Sequence, residues 1–177
     1  MIDQQKIIKV AITGPESTGK SWLSEKLAHH YQTVYVPEMA RSYLDSLDRE
    51  YNQEDITQIA RAQVNEEEML LRDANGILFC DTELLVTKIW SIHKYKSCDP
   101  WILHQISLKP FDLYLLCDID LPWEFDPQRE HPHLREYFFN YYKSELDAYN
   151  FPYYIIKGKN DQRVNNAIAA LHDFFNI

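Results

Sequence analysis

Gly14-Pro15-Glu16-Ser17-Thr18-Gly19-Lys20-Ser21 fits the pattern G-x-x-x-x-G-K-[ST] of a phosphate-binding loop. Its flanks agree with that reading. Residues 6–13 (KIIKVAIT) are apolar and β-branched, as in a buried parallel strand. Residues 20–31 carry Trp22, Leu23, Leu27 and Ala28 at helical spacing. Strand, glycine loop and helix in that order give the motif its meaning. Gly14 and Gly19 free the backbone to approach a phosphate where a Cβ would block it. Successive amides then face one concavity, and the following helix adds its positive end. The loop residues Glu16, Ser17 and Thr18 belong to this nucleotide site, Lys20 is placed to reach the β- and γ-phosphates, and Ser21 to ligate Mg²⁺.

Outward from the loop, strands and helices alternate. Strands are expected at 33–36, 77–80, 113–117 and 153–156, and helices at 39–47, 52–73, 84–95 and 134–149. A short helical segment is expected at 101–107, and a final helix capped by Asn160 or Asp161 should reach residue 175. The pattern specifies an α/β fold of the P-loop NTPase type. Its five-stranded parallel sheet has expected order 2-3-1-4-5 and helices on both faces. Residues 119–133 hold three prolines, three acids before Glu130, and Arg129. They lack either period and read as a lid, spanning about 119–135, that closes over a site. The 177 residues make one domain, with no repeat and no linker.

The net charge of −9 argues against general nucleic-acid binding, which needs a basic face. Cys80, Cys98 and Cys117 suit neither a zinc site nor a disulfide framework. No signal peptide or long apolar run is visible, so no membrane is involved and a soluble, cytoplasmic protein is expected. The pattern assigns no oligomeric state.

Asp81 ends the third strand beside the loop. A carboxylate there can hold Mg²⁺ or accept a proton from an attacking hydroxyl, and it can equally cap the next helix. Glu83 reads as a dipole partner or a functional acid. Glu38 and Arg41 share one face after the second strand, suited to sugar hydroxyls and phosphate, or to a surface ion pair with each other. Arg129 in the lid suits charge on a moving phosphoryl group, as Arg135 could. Trp123 could stack on a base or act as a hinge. Arg163, after the last strand, is placed to stack on adenine. The histidines show no metal-ligand spacing.

Four segments together resemble the ribosylnicotinamide kinase domain of NadR-type proteins, a P-loop kinase-like domain of the wider AAA-type ATPase grouping. They are residues 14–21, Pro37-Glu38-Met39-Ala40-Arg41, Phe79-Cys80-Asp81-Thr82-Glu83, and Pro122-Trp123-Glu124-Phe125-Asp126 followed by Arg129. The resemblance covers nearly the whole chain. It implies ATP-dependent phosphorylation of nicotinamide riboside to nicotinamide mononucleotide, with ATP and Mg²⁺ and a nucleoside-like small molecule as the binding partners. It places Asp81 as base or Mg²⁺ partner and Arg129 in the lid. The family holds the nicotinamide ring between aromatic side chains, one beside the PE-x-AR stretch. Here that neighbourhood has Pro37, Met39 and Tyr43, and the long helix has Glu67 and Met69, so no such pair is assigned. The third-strand motif also ends in Glu83 where Asp is usual. The domains joined to this kinase in fused relatives are not expected. The alternatives are a kinase for another nucleoside or sugar, and a regulatory ATP-binding module without rapid turnover.

Overall fold

A computed structural model describes residues 6–176. Twelve elements follow in the order β1 (Ile8–Thr13), α1 (Lys20–His30), β2 (Tyr35–Val36), α2 (Met39–Asp45), α3 (Gln53–Leu70), β3 (Ile77–Asp81), α4 (Leu84–Tyr95), α5 (Pro100–Ser107), β4 (Leu113–Cys117), α6 (Arg135–Tyr149), β5 (Tyr153–Ile156) and α7 (Asp161–Phe175). The strands form one five-stranded sheet in the order β2-β3-β1-β4-β5, and every pairing is parallel. This is the expected topology.

Burial on both faces explains the composition of the central strands. Every residue of β3 and β4 is buried, so their sequences run apolar without alternation. Val10, Ile12, Phe79, Leu113 and Leu115 face α1 and α7, meeting Leu23, Leu27, Ala167 and Leu171. Ala11, Leu78, Cys80, Tyr114 and Leu116 face the opposite side, against Ala60 of α3, Leu85 and Ile89 of α4, and Leu146 of α6. Cys80 and Cys117 are buried free thiols, as their apolar surroundings suggest.

Local chemistry sets the helix boundaries. Asn52 and Asp55 form a reciprocal capping box at the start of α3. The Asp99 carboxylate caps α5, with Pro100 in its first turn. The α7 cap departs from expectation. Neither Asn160 nor Asp161 caps it through a side chain, and Asn160 takes φ 48 and ψ −134. Its carbonyl instead accepts the Arg163 amide at 2.9 Å. Register then assembles the site: Ile12 pairs with Asp81, so the loop after β1 and the carboxylate ending β3 leave the sheet side by side. Ligands of open parallel sheets bind at this carboxyl edge.

Candidate active site

The phosphate loop is shaped by close approach. Gly14 has φ 130, and a Cβ there would meet the Cys117 carbonyl at 3.0 Å. Gly19 has φ 76 and precedes α1, whose N-terminus has neither a side-chain cap nor an acid in its first turn. That leaves the helix end suited to an external anion. The Thr18 hydroxyl is spent internally on the Pro15 carbonyl at 2.8 Å, and the Lys20 ammonium lies on the same carbonyl at 2.8 Å.

Asp81 is 2% exposed, and its Oδ1 has no hydrogen-bond partner. Burial, then the charge of Glu38, pushes its carboxyl up to about 6, against the opposing pull of Ser21 and Lys20. The adjoining Thr82 holds φ 71, and its buried hydroxyl is also unpartnered. The buried, unpartnered Asp81 Oδ1 next to the Ser21 hydroxyl is oxygen chemistry that fits Mg²⁺. No cluster of three or more His, Cys, Asp or Glu side chains that could hold a metal by itself occurs among the described residues. Glu83 caps α4, accepting the Leu85 amide at 2.6 Å and the Thr13 hydroxyl at 2.9 Å. It is 3% exposed, and burial pushes its carboxyl up to about 7. It therefore braces the residue before the phosphate loop.

A cavity of about 990 Å³ opens above these residues. The phosphate loop, Glu38, Arg41, α4, α6 and the lid line it, while Asp81 and Trp123 do not. Trp123 sits with the Arg129 guanidinium 6.0 Å from its ring centre. Glu38 is thus one of the carboxylates facing the space, whereas Asp81 is not on its lining. Arg41 pairs with Asp126 of the lid at 2.9 Å, where the surface reading paired it with Glu38.

The lid rests on the phosphate loop. The Ser17 hydroxyl accepts the Glu124 amide at 2.9 Å and Arg129 at 3.4 Å. The Glu16 carboxylate accepts the amides of Glu130 and His131, both at 3.3 Å. Arg135 donates to the carbonyls of Leu121 at 2.8 Å and Ser17 at 3.0 Å. Arg163 is tied to the phosphate loop and to its neighbours. It is 0% exposed, with its guanidinium on the carbonyls of Gly158, Thr18 and Asp118 and on the Asp120 carboxylate. These contacts fix the guanidinium in place, so Arg163 braces the phosphate loop while also lying on the lining of the cavity.

A family model described as an AAA domain matches residues 9–163. The chain belongs to the AAA domain family. Within it, the chain is 32% identical over 127 residues to the trifunctional NAD biosynthesis/regulator protein NadR of Escherichia coli K12. That match covers 68% of this chain and 30% of the relative. The NadR of Salmonella typhimurium LT2 matches to the same extent. The chain therefore spans under a third of the length of these relatives. Among solved structures, NadR in complex with NAD and AMP-PNP superposes with a TM-score of 0.79 at 21% identity, covering 97% of this chain and 50% of that one. NadR in complex with NR gives 0.79 at 20%, covering 97% and 51%. A deoxyadenosine kinase from M. mycoides gives 0.62 at 14%, covering 94% and 100%. These structural likenesses are likenesses of fold. No helix among the described residues is long and apolar enough to cross a membrane.

The AAA domain's cavity also has walls that the motifs did not reveal. Trp22, Tyr51, Trp90, His93, Phe138 and Tyr142 line it. The Trp90 indole donates to the Tyr51 hydroxyl at 3.0 Å, and the two rings meet edge to face at 5.0 Å. A signal existed in α4. Val86, Ile89, Trp90 and His93 recur at helical spacing on one face, while Leu85, Lys88 and Ser91 are buried elsewhere on the helix. A helix buried on more than one face has two surfaces to cover.

Proposed function

We propose that this chain is an ATP-dependent kinase that phosphorylates a nucleoside-like alcohol, with nicotinamide riboside as the preferred acceptor. The observation that carries this reading is one cavity lined both by the phosphate loop and by an aromatic wall, with Glu38 on the same lining. The NadR complexes with AMP-PNP and with NR support it by likeness. A cytoplasmic location, where ATP is abundant, goes with the same reading.

The acceptor end is acidic and aromatic. Glu38, Asp45, Glu50 and Glu130 line the cavity with Tyr51 and Trp90. The arginines there are occupied: Arg41 by Asp126 at 2.9 Å and Arg49 by Asp55 at 2.7 Å. An acceptor that already carried a phosphate would find these cations committed. A cationic pyridinium ring gains from both the carboxylates and the aromatic faces.

In this account the loop amides and Lys20 hold the β- and γ-phosphates. Ser21 and Asp81 would hold Mg²⁺, which would supply charge neutralisation at the phosphates when bound. Glu38 orients the acceptor hydroxyl and takes its proton as the oxygen bonds to the γ-phosphorus. The bond from that phosphorus to the β–γ bridging oxygen breaks, and ADP leaves. Arg129 moves from the Glu124 carbonyl, 2.5 Å away, to the charge on the transferred group. The lid excludes water, so the alcohol is the nucleophile.

An ADP-release assay across nicotinamide riboside, other nucleosides and small polyols tests the proposal. Stimulation by nicotinamide riboside well above the water rate supports it. Tight ATP binding with no stimulation by any acceptor favours a regulatory module, and preference for another nucleoside moves the acceptor assignment.

A further inference from the structure

We infer that Glu130 is a positioning residue that couples lid closure to assembly of the acceptor wall. The inference rests on the kinase reading above. The backbone amides of Glu130 and His131 reach the Glu16 carboxylate of the phosphate loop, each at 3.3 Å. The side chain turns the other way. Its carboxylate accepts the Tyr51 hydroxyl at 2.8 Å, and that hydroxyl accepts the Trp90 indole at 3.0 Å. Lys94 completes the junction, 3.7 Å from the Glu130 carboxylate and 3.7 Å from the centre of the Tyr51 ring.

Four remote segments therefore meet at one lid residue: the loop after β1, the connector between α2 and α3, helix α4, and the lid itself. Lifting the lid withdraws Glu130, and Tyr51 then loses the acceptor that fixes its hydroxyl. The edge-to-face geometry with Trp90 loses that anchor with it. In reverse, an acceptor ring packed on Trp90 and Tyr51 holds the hydroxyl where Glu130 meets it, which favours the closed lid. A carboxylate on a lid needs no partner to stay solvated, so the convergence of a phenol and an ammonium on this one is a structural assignment. The consequence is selective: the site is best sealed against water when the acceptor is present. Coupling of this kind requires that both events bias the same two-state element.

The test measures ADP formed per phosphorylated riboside in the wild type, Glu130→Ala, Tyr51→Phe, the double variant and Glu130→Gln. In both single variants the ratio should rise about tenfold with a similar rise in the acceptor KM, on the usual worth of a hydrogen bond to a charged group. The double variant should match the singles, and Glu130→Gln, which keeps an acceptor oxygen for Tyr51, should restore most of the wild-type ratio. Unchanged partitioning, or additive effects in the double variant, overturns the inference. A second measurement is independent of the acceptor: trypsin cleavage after Arg129 in the ligand-free protein. Tyr51→Phe leaves that cleavage site intact and should speed cutting several-fold. Cutting at the wild-type rate overturns the coupling. If the wild type fails to phosphorylate nicotinamide riboside, the acceptor assignment falls while this measurement still judges the coupling.

Discussion

Replacing Asp81 with Asn should make the ligand-free protein more stable and less active at once. The carboxyl is buried, its Oδ1 has no partner, and burial with the Glu38 charge pushes it from 3.8 up to about 6. A raised carboxyl value means the folded state prefers the proton. The penalty is absent below about pH 4, grows as pH rises, and is complete above about 6. A shift of roughly two units corresponds to about 3 kcal/mol at pH 8. Asn keeps the shape without the charge and escapes most of that cost. For a domain of this size, a gain of ~2–3 kcal/mol raises the melting temperature by roughly 5–10 °C. Thermal denaturation without Mg²⁺ or nucleotide, at pH 8 and pH 4, measures it. The gain should appear at pH 8 and shrink at pH 4. Turnover should meanwhile fall roughly ten- to a hundredfold, with more Mg²⁺ needed for half-maximal rate. No rise in melting temperature at pH 8 would refute the reasoning about burial. Unchanged turnover and Mg²⁺ dependence would remove Asp81 from the site.

Glu38→Gln should lower kcat by roughly a hundredfold while ATP binding, read by equilibrium titration, holds; general-base catalysis has about that worth. Nicotinamide riboside should be preferred over its neutral, ring-reduced form by about three- to thirtyfold in kcat/KM, the range of a cation–π contact in a partly desolvated site. Equal use of the two would detach the acidic wall from recognition. The Arg49 guanidinium and the Asn52 amide hold the Asp55 carboxyl well below its usual range. Its stabilising contribution is therefore present above about pH 4 and lost as pH falls further, and Asp55→Asn should flatten that part of the stability profile in chemical denaturation.

The centre of the sheet was legible because β3 and β4 are buried on both faces and run apolar without alternation. Residues 113–117 and 153–156 were bounded to the residue, since each apolar run ends where charge or glycine begins. The phosphate loop was legible because its geometry is local: Gly14 and Gly19 sit where positive φ is needed. The rest of the site depends on contacts that spacing does not encode. Arg41 meets Asp126 across 85 residues, and Arg135 meets Ser17 across 118. Arg163 was placed to stack on adenine because it follows the last strand, and its burial could not be read because four oxygen-bearing residues converge on it from three segments. The aromatic wall escaped notice because Trp90 and His93 lie on a helix whose apolar positions read as core. Only the cavity separates those facing ligand from those facing the sheet.

Phosphoryl transfer to the riboside is most directly tested by mass analysis of the products after incubation with Mg²⁺, ATP and nicotinamide riboside. One nicotinamide mononucleotide should appear for each ADP, with both falling together in Glu38→Gln. ADP formed without any phosphorylated riboside would contradict the account.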